Sequence, residues 1–183
     1  MQVIETAIPD VKLLVPKQFK DHRGFFSEVY SRKALTDLGI TSDFLQDNHS
    51  LSVEKGVLRG LHYQLPPMAQ DKLIRVVRGA ILDVAVDVRR SSPTFGKHVA
   101  AVLSAENWRQ VYVPVGFAHG FITLEPNTEV LYKVNAFYSP QHERGILWND
   151  PALGIDWGVS PAQAILSARD LTHPALAAAR DLF

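Results

Sequence analysis

Glycine and proline cut this chain into short apolar pieces, and that punctuation sets the fold class. Pro9, Pro16, Gly24, Gly39, Gly56, Gly60, Gly79, Gly96, Gly116, Gly120 and Gly145 stand between the apolar runs. Such a rhythm describes an all-β chain rather than alternating strands and helices. The clearest stretch is LIRVVRGAILDVAVDVR. Ile74 and Val76 alternate with Arg75 and Val77, and Arg78–Gly79 supplies a turn. Leu82, Val84, Val86 and Val88 then share one face, with Asp83, Ala85 and Asp87 on the other. This period-two pattern predicts a hairpin with one apolar and one polar face. Further strands are expected at 99–103, 110–113, 118–124 and 129–134. Many short strands joined by tight turns imply a sandwich or barrel. Ser31 is placed to N-cap a short helix ending near Leu38, and the alanine-rich segment after Pro174 is expected to close the chain as a helix. The mixed stretch 139–168 predicts no particular structure.

Composition narrows the function. With 183 residues and 46% hydrophobic content the chain is sized for one domain with a real core. Lys plus Arg and Asp plus Glu are both 19, a balance unlike the basic excess of a nucleic-acid binder. The absence of cysteine excludes disulfides, a thiol nucleophile and any sulfur-ligated zinc. Glu5 and Asp10 interrupt the region where a signal peptide would be basic and then apolar, and no apolar run reaches the ~18 residues of a membrane span. A cytoplasmic protein with no membrane partner is expected.

Polar residues inside apolar strands carry the chemical information. His62 lies in GVLRGLHYQ, Lys72 opens the next strand, His119 lies in VPVGFAHGF and Tyr132 in VLYKV. Alternation puts His119 on one face with Phe121, and Tyr132 on one face with Val130 and Val134. Arg59 and His62 have opposite parity, so both reach one cavity only if Gly60 marks a bulge. The simplest reading of His98, His142 and His173 is structural, and of Arg75, Arg89 and Arg90 solvated charge. Phe25 and Phe26 read either as one core and one partner contact, or as a surface on which a base stacks. Arg23, Arg59 and Arg169 have the planar fork that suits phosphate. PVGFAH matches the second half-motif of cupin barrels, P-x-G-x-x-H. The first half-motif of metal-binding cupins supplies an H-x-H pair, but here His62 is followed by Tyr63 and Gln64. A catalytic metal usually has three protein ligands, so the expected site is acid–base, with no metal and no cofactor.

Taken in order, DHRGFFSE (21–28), QDNHS (46–50), GVLRGLHYQ (56–64), the Lys72 strand, VPVGFAHGF (113–121) and SARD (167–170) resemble the dTDP-4-dehydrorhamnose 3,5-epimerase family. The resemblance covers nearly the whole chain. It implies one cupin-type jelly roll spanning 1–183, a homodimer and a dTDP-sugar substrate; the exposed-looking strand pattern of the N-terminal segment through Glu28, with Arg23 and Glu28 in it, predicts that this segment crosses to the partner's sheet. The implied reaction epimerises carbons 3 and 5 of dTDP-4-dehydro-6-deoxyglucose. It makes His62 the base, Asp170 the carboxylate that orients it, Lys72 the cation near the keto oxygen and Tyr132 the acid on the opposite face. Arg23, Glu28, Gln46, Asn48, Arg59, His119, Tyr138, Glu143 and Arg169 fall at substrate-binding positions, Arg169 where the family often has lysine. Asp83 competes with Asp170 for the orienting role. The rival readings are a 3-epimerase, a metal-dependent cupin enzyme and a non-catalytic sugar-binding cupin.

Overall fold

The short runs become thirteen strands and one helix in chain order. These are β1 (Gln2–Ile4), β2 (Lys12–Val15), β3 (Phe19–Asp21), β4 (Gly24–Phe26), α1 (Arg32–Thr36), β5 (Gln46–Ser52), β6 (Leu58–Gln64) and β7 (Lys72–Arg78). They continue with β8 (Ala80–Asp87), β9 (His98–Ser104), β10 (Gln110–Val113), β11 (Phe117–Thr123), β12 (Thr128–Val134) and β13 (Glu143–Gly145). The computed structural model describes residues 1–183. A six-stranded sheet runs β1-β2-β10-β7-β12-β5, a five-stranded sheet runs β13-β6-β11-β8-β9, and β3 pairs only with β4. All these pairings are antiparallel. The fold is a cupin-type jelly roll with little helix. No helix is long and apolar enough to cross a membrane.

The two sheets pack face to face. Ile74, Val76, Val111, Val113 and Val130 of the first meet Ile81, Ala85, Phe117 and Phe121 of the second. Ile81 has no exposed surface, and cutting such a side chain to alanine costs ~2–5 kcal/mol. A second core lies on the outer side of the five-stranded sheet, where Val84, Val86, Ala118 and Ile122 pack against Trp148, Trp157 and Leu176. That sheet is therefore buried on both faces, and every residue of β11 is buried. Outside the six-stranded sheet, Leu35 and Ile40 cover Leu14 and Leu73.

Several sequence expectations need correction. The stretch around Gly79 is not a hairpin: β7 belongs to one sheet and β8 to the other, so the chain crosses the sandwich there. The parity of β8 is as expected, but its Asp83 face points between the sheets rather than to water; Asp83 is 3% exposed. Short-range alternation reports faces, not which sheet a strand joins. The C-terminal helix is absent, leaving one 3-10 turn at Leu176–Ala178. Arg90 takes the Ala179 carbonyl and Tyr63 takes that of Asp181, and Leu176 and Ala179 are drawn onto the second core. Tertiary packing overrides alanine propensity in so short a segment. Arg89 is not a solvated charge: it pairs with Asp87 and Asp10 and stacks on Phe117. Neither Phe25 nor Phe26 enters the core; Phe25 meets Trp108 edge-on and Phe26 is 66% exposed. The short helix forms as expected, with Ser31 Oγ accepting from Ala34 N–H. The stretch left unassigned holds β13, a 3-10 turn at Pro161–Gln163 and the two core tryptophans.

Candidate active site

Alternation gives the inner faces of the two sheets their polar groups. On the six-stranded side the inward residues are Lys72 and Ile74 of β7, Val130 and Tyr132 of β12, and Ser50 of β5. On the five-stranded side they are Arg59 and His62 of β6, and His119 and Phe121 of β11. All of these except Val130, which packs in the core, line a cavity of about 320 Å³ together with Ser167, Arg169 and Asp170. The bulge needed to aim both Arg59 and His62 inward is present. His119 pairs with His62 and Phe121 with Arg59, so three residues of β11 face four of β6. Gly60, at φ +130°, takes up the extra residue. A Cβ there would lie 2.5 Å from the Gly120 Cα, so only glycine lets the two strands close around the irregularity.

His62 Nε2 lies 2.5 Å from Asp170 Oδ1, across 108 residues of sequence. SARD supplies the carboxylate through its own turn. Ser167 Oγ donates to Asp170 Oδ2 at 2.9 Å and accepts from the Asp170 N–H at 3.2 Å. Burial pushes the Asp170 carboxyl up, but the His173, His62 and Ser167 contacts reverse this and hold it well below the usual carboxylate range. An anionic Asp170 accepts from Nε2–H, which leaves Nδ1 of His62 as the unprotonated nitrogen. The His62 side chain keeps 28% of its surface. Asp83 is not its partner: Oδ2 of Asp83 lies 2.8 Å from His119 Nε2. Burial pushes His119 down despite Asp83, so this imidazole is neutral near pH 7 and its Nδ1 is an acceptor.

Lys72 is only 9% exposed, with Nζ 3.4 Å from the His62 carbonyl. Burial lowers its pKa to about 8, with Asp83 and Glu143 pulling the other way. It is a cation at neutral pH with no carboxylate bound to Nζ. Burial raises the Tyr132 hydroxyl above its ordinary value, which keeps the proton on a group expected to donate one. Glu143 Oε2 accepts from Tyr138 Oη at 2.6 Å and pairs with Arg169 Nη2 at 2.5 Å. Gln46 Nε2 donates to Asn48 Oδ1 at 2.8 Å on β5.

Two expected binding residues stand apart. Arg23 is on the exposed β3–β4 hairpin, paired with Asp21. Glu28 lines a second cavity, of about 360 Å³, on the outer side of the six-stranded sheet, which shares only Tyr132 with the first. Ser50 and His173 are site residues that the sequence reading missed. Ser50 Oγ is buried without a hydrogen-bond partner in the cavity wall, and it shares the parity of Gln46 and Asn48, which was a usable signal. His173 stacks edge-on to His62 with ring centres 5.5 Å apart; only the fold brings it there.

His62, Asp170 and His173 place three ligand-type atoms within 4.8 Å of one another. Two donors around a tetrahedral zinc sit about 3.3 Å apart, from bond lengths near 2 Å. The 2.5 Å between His62 and Asp170 is a hydrogen bond, not a pair of ligands spread around an ion.

A jelly roll holding an oriented imidazole, a buried ammonium and a tyrosine around one cavity defines an acid–base enzyme that works on carbon-bound protons. The family profile of dTDP-4-dehydrorhamnose 3,5-epimerase matches residues 5–178. The Shigella flexneri enzyme of that name is 55% identical over 172 residues, 93% of each chain. The crystal structure of the Bacillus anthracis epimerase, with TDP and PPi bound, superposes with TM-score 0.92 at 53% identity, covering 95% of this chain and 98% of that one. The Legionella pneumophila epimerase in complex with dTDP-4-keto-L-rhamnose has TM-score 0.92 at 46% identity, covering 97% and 93%. The chain belongs to the dTDP-4-dehydrorhamnose 3,5-epimerase family and is an isomerase.

Proposed function

We propose that this enzyme converts dTDP-4-dehydro-6-deoxy-D-glucose to dTDP-4-dehydro-L-rhamnose, with His62 removing and Tyr132 returning the proton at carbons 3 and 5. The observation that carries the reading is the position of these two residues on opposing sheets. His62 belongs to β6 of the five-stranded sheet and Tyr132 to β12 of the six-stranded sheet, and both line one cavity. Inversion requires a proton to leave one face of the carbon and another to arrive at the opposite face. A single base cannot do both without releasing the intermediate, and two walls of a sandwich supply the two faces.

The substrate's own ketone makes its neighbouring protons acidic once the enolate oxygen is stabilised. Lys72 is the cation for that oxygen, and losing one such donor costs ~100- to 1000-fold in rate. The positioned base contributes ~100- to 10,000-fold. Arg59 and Arg169 at the cavity, with Tyr138 and Glu143 beside Arg169, suit the hydroxyls and the pyrophosphate. Gln46 and Asn48 share the inward face of β5 and extend the same polar wall.

The working unit of this reading is a homodimer of one catalytic domain per chain. β1 and β2 join this chain's own sheet through β10, so the part that crosses narrows to the β3–β4 hairpin. That hairpin pairs with no other strand and exposes Phe19, Phe25 and Phe26. The edge strand β5 exposes Leu51, with Val53 just beyond it. Arg23 then completes the partner's site, and an active monomer in sedimentation would refute this arrangement. The cytoplasmic location expected from the sequence goes with the same reading.

The decisive assay is incubation of the 4-keto sugar nucleotide with the enzyme in heavy water. Deuterium at carbons 3 and 5 is expected. Label at carbon 3 alone would mark a 3-epimerase instead.

A further inference from the structure

We propose that His173 is a positioning residue for this reaction, a second donor to the Asp170 carboxylate that sets how strongly Asp170 supports His62. The proposal rests on His62 being the base. His173 Nε2 lies 3.6 Å from Asp170 Oδ1, the same oxygen that holds His62 at 2.5 Å. Nε2 of His173 is buried and has no hydrogen-bond partner. A buried ring nitrogen left unpaired is costly, and such groups are rare in folded proteins. A closing movement of about half an ångström brings it within hydrogen-bond range of the carboxylate oxygen it faces. That oxygen has room for two donors, and Oδ2 is already occupied by Ser167.

The ring is seated in a built slot. Gly145 of β13 pairs with His62 of β6. A Cβ on Gly145 would fall among the His173 ring atoms, so the imidazole lies over bare backbone directly beside the base. Just past it, Leu147 N–H donates to the Pro174 carbonyl at 2.8 Å and pins the segment. The rings of His62 and His173 meet at 78°, edge to face.

A carboxylate shared between two donors gives less to each. With His173 bonded, Asp170 remains firmly anionic and the proton stays on Nε2 of His62, but the imidazolium of His62 receives only part of the carboxylate's charge. Without His173, His62 has Asp170 to itself and holds a captured proton to higher pH. The charged or titratable groups around His173 are Asp170 in its own turn, His62 and Tyr63 on β6, Glu143 and Arg144 on β13, Arg169, and Arg180 and Asp181 of the C-terminal segment, and burial holds the Tyr63 hydroxyl protonated, at about 12. Of these, Glu143 is tied to Arg169 and Asp181 to Arg144, which leaves Asp170 as the carboxylate within reach of Nε2.

The test compares His173→Phe, which keeps an aromatic edge against His62 but has no N–H, with His173→Gln, which keeps a donor. The readout is the pH profile of kcat/KM for substrate deuterium exchange. His173→Phe is expected to move the acid limb up by ~0.5–1 pH unit, as one lost hydrogen bond to the carboxylate implies, and His173→Gln to stay near the parent enzyme. An unshifted limb in His173→Phe, or equal losses in both variants with no shift, overturns the proposal. Should the phenylalanine variant fail to fold, nitrogen-15 NMR of the unmodified enzyme decides. The His173 Nε2–H is expected as a downfield, hydrogen-bonded proton signal that Asp170→Asn removes. Absence of that signal in the unmodified enzyme overturns the proposal. The NMR readout needs no turnover, so it separates failure of this inference from failure of His62 as the base, which full exchange in His62→Asn would reveal.

Discussion

Asp83 and His119 form a closed pair on neighbouring strands of the five-stranded sheet, with Oδ2 of the carboxylate 2.8 Å from Nε2 of the ring. The cavity therefore has two imidazole–carboxylate pairs, and burial separates their roles. The His119 side chain is 9% exposed and burial disfavours its charged form. His62, at 28%, is the more exposed of the two rings, and accepting a proton there costs less desolvation.

Asp83→Asn tests this division. Asp83 also raises the Lys72 pKa against the effect of burial. Removing its charge is expected to move the alkaline limb of the pH–rate profile below its parent position and to weaken substrate binding through His119. The acid limb should stay in place. An acid limb that moves would mean that Asp83 acts on His62.

Lys72 is expected to set the alkaline side of the parent profile. A lysine with a pKa of about 8 is charged below that pH and neutral above it. Exchange should fall as pH rises through about 8, because the enolate loses its cation. Tyr132 is shifted upward from 10.0 by burial and does not titrate there. Lys72→Met is expected to lose ~100- to 1000-fold below about pH 8, with the gap to the parent narrowing above it as the parent lysine loses its charge. Lys72→Arg, with its charge fixed, is expected to be slow but to lack the alkaline fall; a retained fall would assign it to another group.

Tyr132→Phe removes one hydroxyl from a packed ring and is expected to fold normally. It should impair product formation more than deuterium exchange at the abstraction step. If both fall by the same large factor, Tyr132 is not specifically the proton donor.

Acid stability follows from a different carboxylate. Asp87 has no exposed surface and accepts from Arg89 Nη2 at 2.7 Å, Ser92 Oγ at 2.6 Å and Thr94 Oγ1 at 2.6 Å. Burial pushes it up, but these bonds outweigh burial and hold it at about 2, against 3.8 when unpaired. A carboxyl with a depressed pKa stabilises the fold above its unfolded value. That contribution is full above about pH 4 and is lost as pH falls through 2. Asp87→Asn is expected to lower stability at pH 7 on the order of 2 kcal/mol and to flatten the acid unfolding curve between pH 4 and 2. An unchanged curve in denaturant titrations would remove Asp87 from this role.

The inner wall of the site was legible where a strand alternates. Lys72, His119 and Tyr132 have the faces their parity assigns, and the Arg59–His62 conflict pointed to the bulge at Gly60. What alternation cannot give is the destination of a strand. β7 and β8 read as partners because they are adjacent in sequence, yet they sit in opposite sheets. Long-range contacts were invisible to local pattern for the same reason. Nothing near His173 indicates that β13 leaves a slot for its ring, and the His62–Asp170 pairing came from the family resemblance. The C-terminal segment misled because its alanines favour helix, while Arg90 and Tyr63 claim its carbonyls.

That His62 removes the carbon-bound proton is tested most sharply by deuterium exchange into the 4-keto sugar nucleotide by His62→Asn. Exchange at both carbons is expected to fall by at least ~100- to 10,000-fold. Nucleotide binding should be nearly unchanged, because the proposed pyrophosphate contacts are arginines rather than His62, and Asp170→Asn should be damaged less severely. Exchange at the parent rate in folded His62→Asn, with dTDP binding intact, would contradict that role for His62.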